Sequence, residues 1–179
     1  MLVIENACLV IVDIQEKLLP VMADPEQVVR NSAVLIQIAK ALNIPILWCQ
    51  QVPKALGPTV GELSSLLDGA EPIDKSTFSC CGDEAFMKRI DALKAQTAII
   101  CGIESHVCVF QTAMDLIKHG LYVHVVADAT SSRTNENKTI GINRMAKEGA
   151  VITSTEMLLF ELLRDAKHPK FRELAKLIK

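Results

Sequence analysis

Six short apolar runs recur along this chain, and most are followed by a stretch whose apolar residues return every three or four positions. The runs are ACLVIVD (7–13), ILWCQQ (46–51), a short one within EPIDKSTFSCCG (71–82), TAIIC (97–101), LYVHVVAD (121–128) and AVIT (150–153). Runs of this length without polar alternation are strands covered on both faces, and the longer period between them is helical. Alternation of this kind leaves few topologies. Right-handed crossovers lay the strands parallel and put helices on both faces of one sheet, an α/β architecture of three layers. Ligands then bind beyond the carboxyl ends of the strands, where the winding direction reverses.

The helical stretches carry their own punctuation. In DPEQVVRNSAVLIQIAKALN, Asp24 is the expected N-cap and Pro25 the first helical residue, ahead of a broad apolar face. VPKALGPTVGEL, with Pro53, Gly57, Pro58 and Gly61, predicts a surface loop before a short helix. Asp83 opens a helix through DEAFMKRIDALKA, and TNENKTIGINRMAKEG is a helix ending at Gly149. STEMLLFELLRDA is capped by Ser154 or Thr155, and PKFRELAKLIK is expected as a last short helix. No linker, repeat or low-complexity tract divides the 179 residues, so one domain over 1–179 is expected. With half the residues hydrophobic and only five Phe, one Tyr and one Trp, the core must be aliphatic. A formal charge of −2 and no basic cluster give no reason to propose nucleic acid. No apolar run approaches a membrane span of about 20 residues. The first strand starts within ten residues of Met1, which leaves no room for a signal peptide and predicts a cytoplasmic protein. Six cysteines without a CxxC pair are expected as reduced thiols, and the four histidines have no zinc-ligand spacing with them. No GxGxxG or GxxxxGK[ST] follows a strand, so neither a dinucleotide nor a P-loop role is supported.

The chemistry gathers at strand ends. TAIICGIESHVC (97–108) reads as a buried strand, an exit at Gly102, and a helix from about Ser105. Cys108 then lies in the first helical turn, where unpaired N–H groups and the positive dipole end favour a thiolate. Asp13 ends the first strand and Lys75 follows the short third. Each has a plain structural account: a core cysteine, a turn aspartate, a solvated lysine. Together on one sheet edge they supply a nucleophile, a base and a cation.

These residues also carry a likeness. LVIVDIQ, KSTFS, GIESHVCVFQTAMDL, VADATSSR and GAVITSTEMLLFELL resemble the isochorismatase-like (cysteine) hydrolase family over nearly the whole chain, most closely its compact isochorismatase-domain subgroup. The resemblance implies Cys108 as nucleophile, Asp13 as general base and Lys75 as third catalytic member. It also implies a non-proline cis peptide between Ile103 and Glu104, with the Glu104 and Cys108 N–H groups facing an oxyanion. Nicotinamidases of the family carry an Asp-x-His metal site with a second His after the second strand. QQVPKALGPTVGEL has neither residue type, so no metal and no other cofactor is expected. Isochorismatases proper cleave a vinyl ether by acid catalysis without the cysteine, and a retained Cys108 favours acyl or amide chemistry. Where relatives often have Phe after D-x-Q, this chain has Leu18 and Leu19.

Three further residues are candidates for touching substrate: Gln15 by strand alternation from Asp13, Gln50 at the end of the second strand, and Phe78 in KSTFS. His106, two residues from Cys108 on a helix, points elsewhere. Cys80 and Cys81 are a candidate redox pair, and Arg133 a structural or interface cation. The expected fold is a six-stranded parallel, Rossmann-like sheet in the order 3-2-1-4-5-6, which sets Asp13 and Cys108 on neighbouring strands. The expected function is a metal-independent cysteine hydrolase of a small amide, ureido or related acyl compound. EMLLFELL offers more apolar surface than one sheet face needs, which with the family likeness suggests a homo-oligomer. The alternatives are a vinyl-ether hydrolase, a thiol redox enzyme and a non-catalytic scaffold.

Overall fold

A computed structural model describes residues 2–178. In chain order the elements are β1 (Ala7–Val12), α1 (Pro25–Ala41), β2 (Ile46–Gln51), α2 (Pro53–Leu56), α3 (Gly61–Ser64), β3 (Ile73–Lys75) and α4 (Glu84–Leu93). They continue with β4 (Thr97–Ile103), α5 (Cys108–Lys118), β5 (Tyr122–Ser131), α6 (Asn135–Lys147), β6 (Val151–Thr153), α7 (Thr155–Leu163) and α8 (Phe171–Leu174). Short 3-10 turns occupy Leu19–Val21 and Cys80–Gly82. The six strands form one parallel sheet in the order β3-β2-β1-β4-β5-β6, as the alternation and the family likeness predict. Winding reverses between β1 and β4, so the residues following these two strands meet at the switch point.

Strand alternation divides the interior into two cores. Leu9 and Ile11 of β1, with Ile99, Cys101 and Ile103 of β4, pack with α1 and α7 residues such as Leu35, Ile38, Leu158 and Leu162. Val10 and Val12, with Ala98 and Ile100, pack on the other face against Phe86 of α4 and Val109 and Leu116 of α5. Helix starts follow the sequence. Asp83 accepts from the N–H groups of Ala85 and Phe86 at 2.9 and 3.2 Å, and Ser154 accepts from that of Met157. Asp24 sits at its predicted place without a capping bond, and Pro25 opens α1. No helix of the described residues is long and apolar enough to cross a membrane.

Four local expectations are corrected. Gly102 does not end β4 but lies inside it at φ +123°, where an added Cβ would come within 2.1 Å of the Val12 carbonyl oxygen. The glycine is there because β1 approaches too closely for any side chain. The following helix starts at Cys108 and not at Ser105. β5 runs past its expected end at Asp128 through Ala129–Ser131, re-pairing with β4 at Gly102–Thr130 after a register shift. The last helix is a single turn, Phe171–Leu174.

Candidate active site

Asp13 leaves β1 at φ +53°, a left-handed conformation that aspartate tolerates and most residues avoid. The turn is held by the Asp13 N–H donating to the Cys49 carbonyl at 3.1 Å, and by the Gln15 N–H donating to the Asp13 carbonyl at 2.9 Å. The carboxylate is thereby aimed across β2 to β3. There Lys75 Nζ donates to Asp13 Oδ2 at 2.7 Å, and both side chains are entirely shielded from solvent. The same ammonium donates to Gln51 Oε1 at 2.6 Å and approaches the Phe78 and Thr77 carbonyls at 3.0 and 3.1 Å. Three protons thus face four acceptors, and none is left for a substrate. Lys75 is thereby held in one place by the protein. Burial would lower its pKa, but Asp13 and the neighbouring thiols raise it above the usual lysine value.

Cys108 is the first residue of α5, reached through a braced turn. Ser105 donates to the Ser131 carbonyl through its N–H at 2.7 Å and its hydroxyl at 2.9 Å. From the other side, α6 brings Gly141 against this turn, where a Cβ would sit 2.8 Å from the Ser105 oxygen. The Ile103–Glu104 peptide is cis. The Glu104 carbonyl accepts from the N–H groups of Val107 and Val109. Among the described residues, the N–H groups of Glu104 and Cys108 have no carbonyl partner. The Cys108 thiol is close enough to the Asp13 carboxylate for each to act on the other. Oδ1 of Asp13, buried, has no partner of ordinary hydrogen-bond geometry. It is the free acceptor of the cluster.

The thiol differs from the expectation of a ready thiolate. Burial raises the Cys108 pKa well above that of a free cysteine, and the Asp13 charge adds to this while Lys75 opposes it. Burial likewise lifts Asp13 above the usual carboxylate range despite Lys75. A protonated thiol beside an available carboxylate oxygen is the pairing that nucleophilic catalysis by a cysteine requires.

The proposed substrate contacts fare differently. Gln15 is fully buried, and its amide donates to the carbonyls of Gln51 and Gly57 at 3.0 and 2.7 Å while accepting from the Gln51 N–H at 2.7 Å. Gln50 donates to Asp74 Oδ1 and accepts from the N–H and hydroxyl of Thr59. Both amides are thus engaged by the protein itself, Gln50 with one amide proton uncommitted. Phe78 is 55% exposed beside the site, its carbonyl on Lys75. Gln51, not singled out from sequence, is the glutamine that reaches the cluster. Parallel register pairs Gln51 with Lys75 and Gln50 with Asp74, and no periodicity in one strand reveals that partner. His106 Nδ1 lies 3.0 Å from the Ser132 hydroxyl. Arg133 lies against Glu104, Nε to Oε1 at 3.4 Å. All six cysteines are free, and Cys80 donates its N–H to Thr112 Oγ1, one turn beyond Cys108 on α5.

The family profile of the isochorismatase domain matches residues 7–157, a span that includes Asp13, Lys75 and Cys108. The chain belongs to the isochorismatase-like hydrolase family. It is 40% identical over 176 residues to isochorismatase domain-containing protein 2A of Mus musculus, covering 98% of this chain and 84% of that one. Among solved structures it is similar to the MAR1 ribonuclease of Caenorhabditis elegans, with 38% identity and a TM-score of 0.93 over 99% of this chain and 91% of that one. It is also similar to the YcaC gene product of Escherichia coli, described as an octameric hydrolase of unknown specificity. That match has 28% identity and a TM-score of 0.93 over 99% of this chain and 88% of that one. Within this isochorismatase-family chain, no group of three or more His, Cys, Asp or Glu among the described residues could hold a metal ion.

Proposed function

We propose that this chain is a metal-independent cysteine hydrolase of a small amide, ureido or related acyl compound. The observation that carries the reading is the wholly buried Asp13–Lys75 pair, 2.7 Å apart, set beside the Cys108 thiol at the start of α5. Buried ion pairs cost desolvation, and this one leaves a carboxylate oxygen unengaged next to a nucleophile. In the mechanism, Asp13 Oδ1 takes the thiol proton as Cys108 Sγ attacks the substrate carbonyl. The N–H groups of Glu104 and Cys108 receive the oxyanion. Collapse breaks the C–N bond, Asp13 returns the proton to the departing nitrogen, and a thioester remains on Cys108. Water, deprotonated by Asp13, then releases the acid and restores the thiol. Lys75 keeps Asp13 anchored and balances its charge throughout. Met157 and Phe160 of α7, 63% and 42% exposed, together with the octameric relative, support a homo-oligomer.

A second reading comes from the Caenorhabditis elegans neighbour, which is described as a ribonuclease and is 38% identical to this chain. The test is one panel of small amides, ureido compounds and thioesters, run beside a structureless RNA, with wild type, Cys108→Ala and Asp13→Asn. Turnover of an acyl substrate that disappears in both variants supports the cysteine hydrolase. RNA cleavage that persists through purification to homogeneity, survives Cys108→Ala and falls in Asp13→Asn would replace it with the nuclease reading.

A further inference from the structure

We infer that Gln51 is a positioning residue of the cluster, setting where the Lys75 ammonium sits and how much of its charge reaches Asp13 and Cys108. The inference rests on the cysteine-hydrolase reading of that cluster. Gln51 is 8% exposed at the end of β2, and its amide is gripped at both ends. Oε1 accepts from Lys75 Nζ at 2.6 Å, the shortest of the four lysine contacts, and Nε2 donates to the Ser76 carbonyl at 2.7 Å. Its backbone is fixed as well, because Gln15 takes both the N–H and the carbonyl of Gln51 and also ties down Gly57. A continuous series of hydrogen bonds therefore runs from Gly57 through Gln15 and Gln51 to Lys75 and Asp13. The residue that follows, Val52, is held at φ +36°, an unusual conformation for a β-branched residue, with its N–H on the Lys75 carbonyl. Side chain and backbone thus converge on one lysine.

The choice of an amide has an electrostatic consequence. Gln51 gives the ammonium a neutral acceptor, which leaves the positive charge opposed formally by Asp13 alone. A glutamate there would place a second carboxylate on the same ammonium and oppose thiolate formation at Cys108. An aliphatic residue would remove the dipole that partly offsets the ammonium and favour the thiolate. One residue, acting through one lysine, therefore predicts shifts of opposite sign.

The experiment is the rate of Cys108 alkylation by iodoacetamide from pH 6 to 10, resolved by peptide mass spectrometry. Wild type, Gln51→Glu, Gln51→Leu and Lys75→Met with and without Gln51→Leu are compared, each checked by circular dichroism. The Gln51→Glu profile moves to higher pH by about one unit, and that of Gln51→Leu to lower pH by roughly half a unit. In the Lys75→Met background the Gln51→Leu shift disappears. A reactive Cys108 whose profile is the same in all Gln51 variants, or shifts the same way in both, overturns the positioning role alone. A wild-type Cys108, with Asp13 as its base, that is alkylated no faster than the baseless Cys101 anywhere in this range overturns the nucleophile and this inference with it.

Discussion

Cys101 and Cys108 lie seven residues apart on one strand-turn-helix unit and face opposite cores. Cys101, fully buried in β4, has its thiol pushed up to about 12 by burial, with only the Ser32 hydroxyl easing it. Cys108 is pushed up as well, by burial and by Asp13. A displaced thiol is therefore common to both and marks neither. What separates them is company. Cys101 meets a helix hydroxyl in an aliphatic core, whereas Cys108 meets a carboxylate with a free oxygen and an ammonium that holds it. On the proposed reading, a buried cysteine serves as a nucleophile through a base and a counter-charge, and burial alone does not mark it.

The sharpest way to break this contrast is alanine at each position. Cys108→Ala should lower turnover of an acyl substrate by about 10³-fold or more, with the fold intact by circular dichroism. Cys101→Ala should leave turnover within experimental error and cost about 1 kcal/mol in urea unfolding. Equal losses at the two positions would erase the distinction.

Next in size is Lys75→Met, which strands a buried carboxylate and should cost about 3–5 kcal/mol by denaturant titration. The pH dependence sharpens it. Because the folded-state pKa of Lys75 is raised, its contribution is complete below the ordinary value of 10.5 and is lost as pH climbs through the folded value. Wild type should therefore lose stability above pH 10.5 more steeply than Lys75→Met does.

The acid side reports on Asp13, which works as a base only when ionised. With its pKa raised above 3.8, turnover should fall on acidification with a midpoint above 3.8, read from a kcat/KM profile. The smallest effect belongs to Ser32→Ala. It removes a buried hydroxyl beside Cys101 that has no partner of ordinary hydrogen-bond geometry, so it should leave thermal unfolding nearly unchanged or slightly raised and the Cys108 alkylation profile unmoved.

Much of this arrangement is legible in the amino-acid order. Apolar runs alternating with helical periods determine a parallel sheet, and Asp13, Lys75 and Cys108 are readable because each closes or follows a strand. What escapes is whatever depends on the neighbouring strand. Gly102 looks like a strand terminator and is instead the place where β1 comes too close for a Cβ. The apolar run stops before Thr130 and Ser131, yet both extend β5 because β4 re-pairs with them beyond the irregularity. Gln50 and Gln51 are adjacent and chemically identical, and only the register of β3 decides that Gln51 reaches Lys75. Gln15 has the right direction by alternation, but its amide closes on the backbone of another strand. The thiolate expectation rested on helix-terminal electrostatics alone, while the site adds burial and a carboxylate that oppose it.

The most direct test of the nucleophile is to catch its acyl intermediate. Wild type and Asp13→Asn would be mixed with p-nitrophenyl acetate, quenched at intervals, and mapped by peptide mass spectrometry. The account predicts an acetyl thioester on Cys108, absent from Cys101, that forms and is then hydrolysed in wild type. In Asp13→Asn it should form slowly and persist. Acetylation scattered over lysines and other cysteines, with Cys108 no faster than the rest and no turnover, would contradict it.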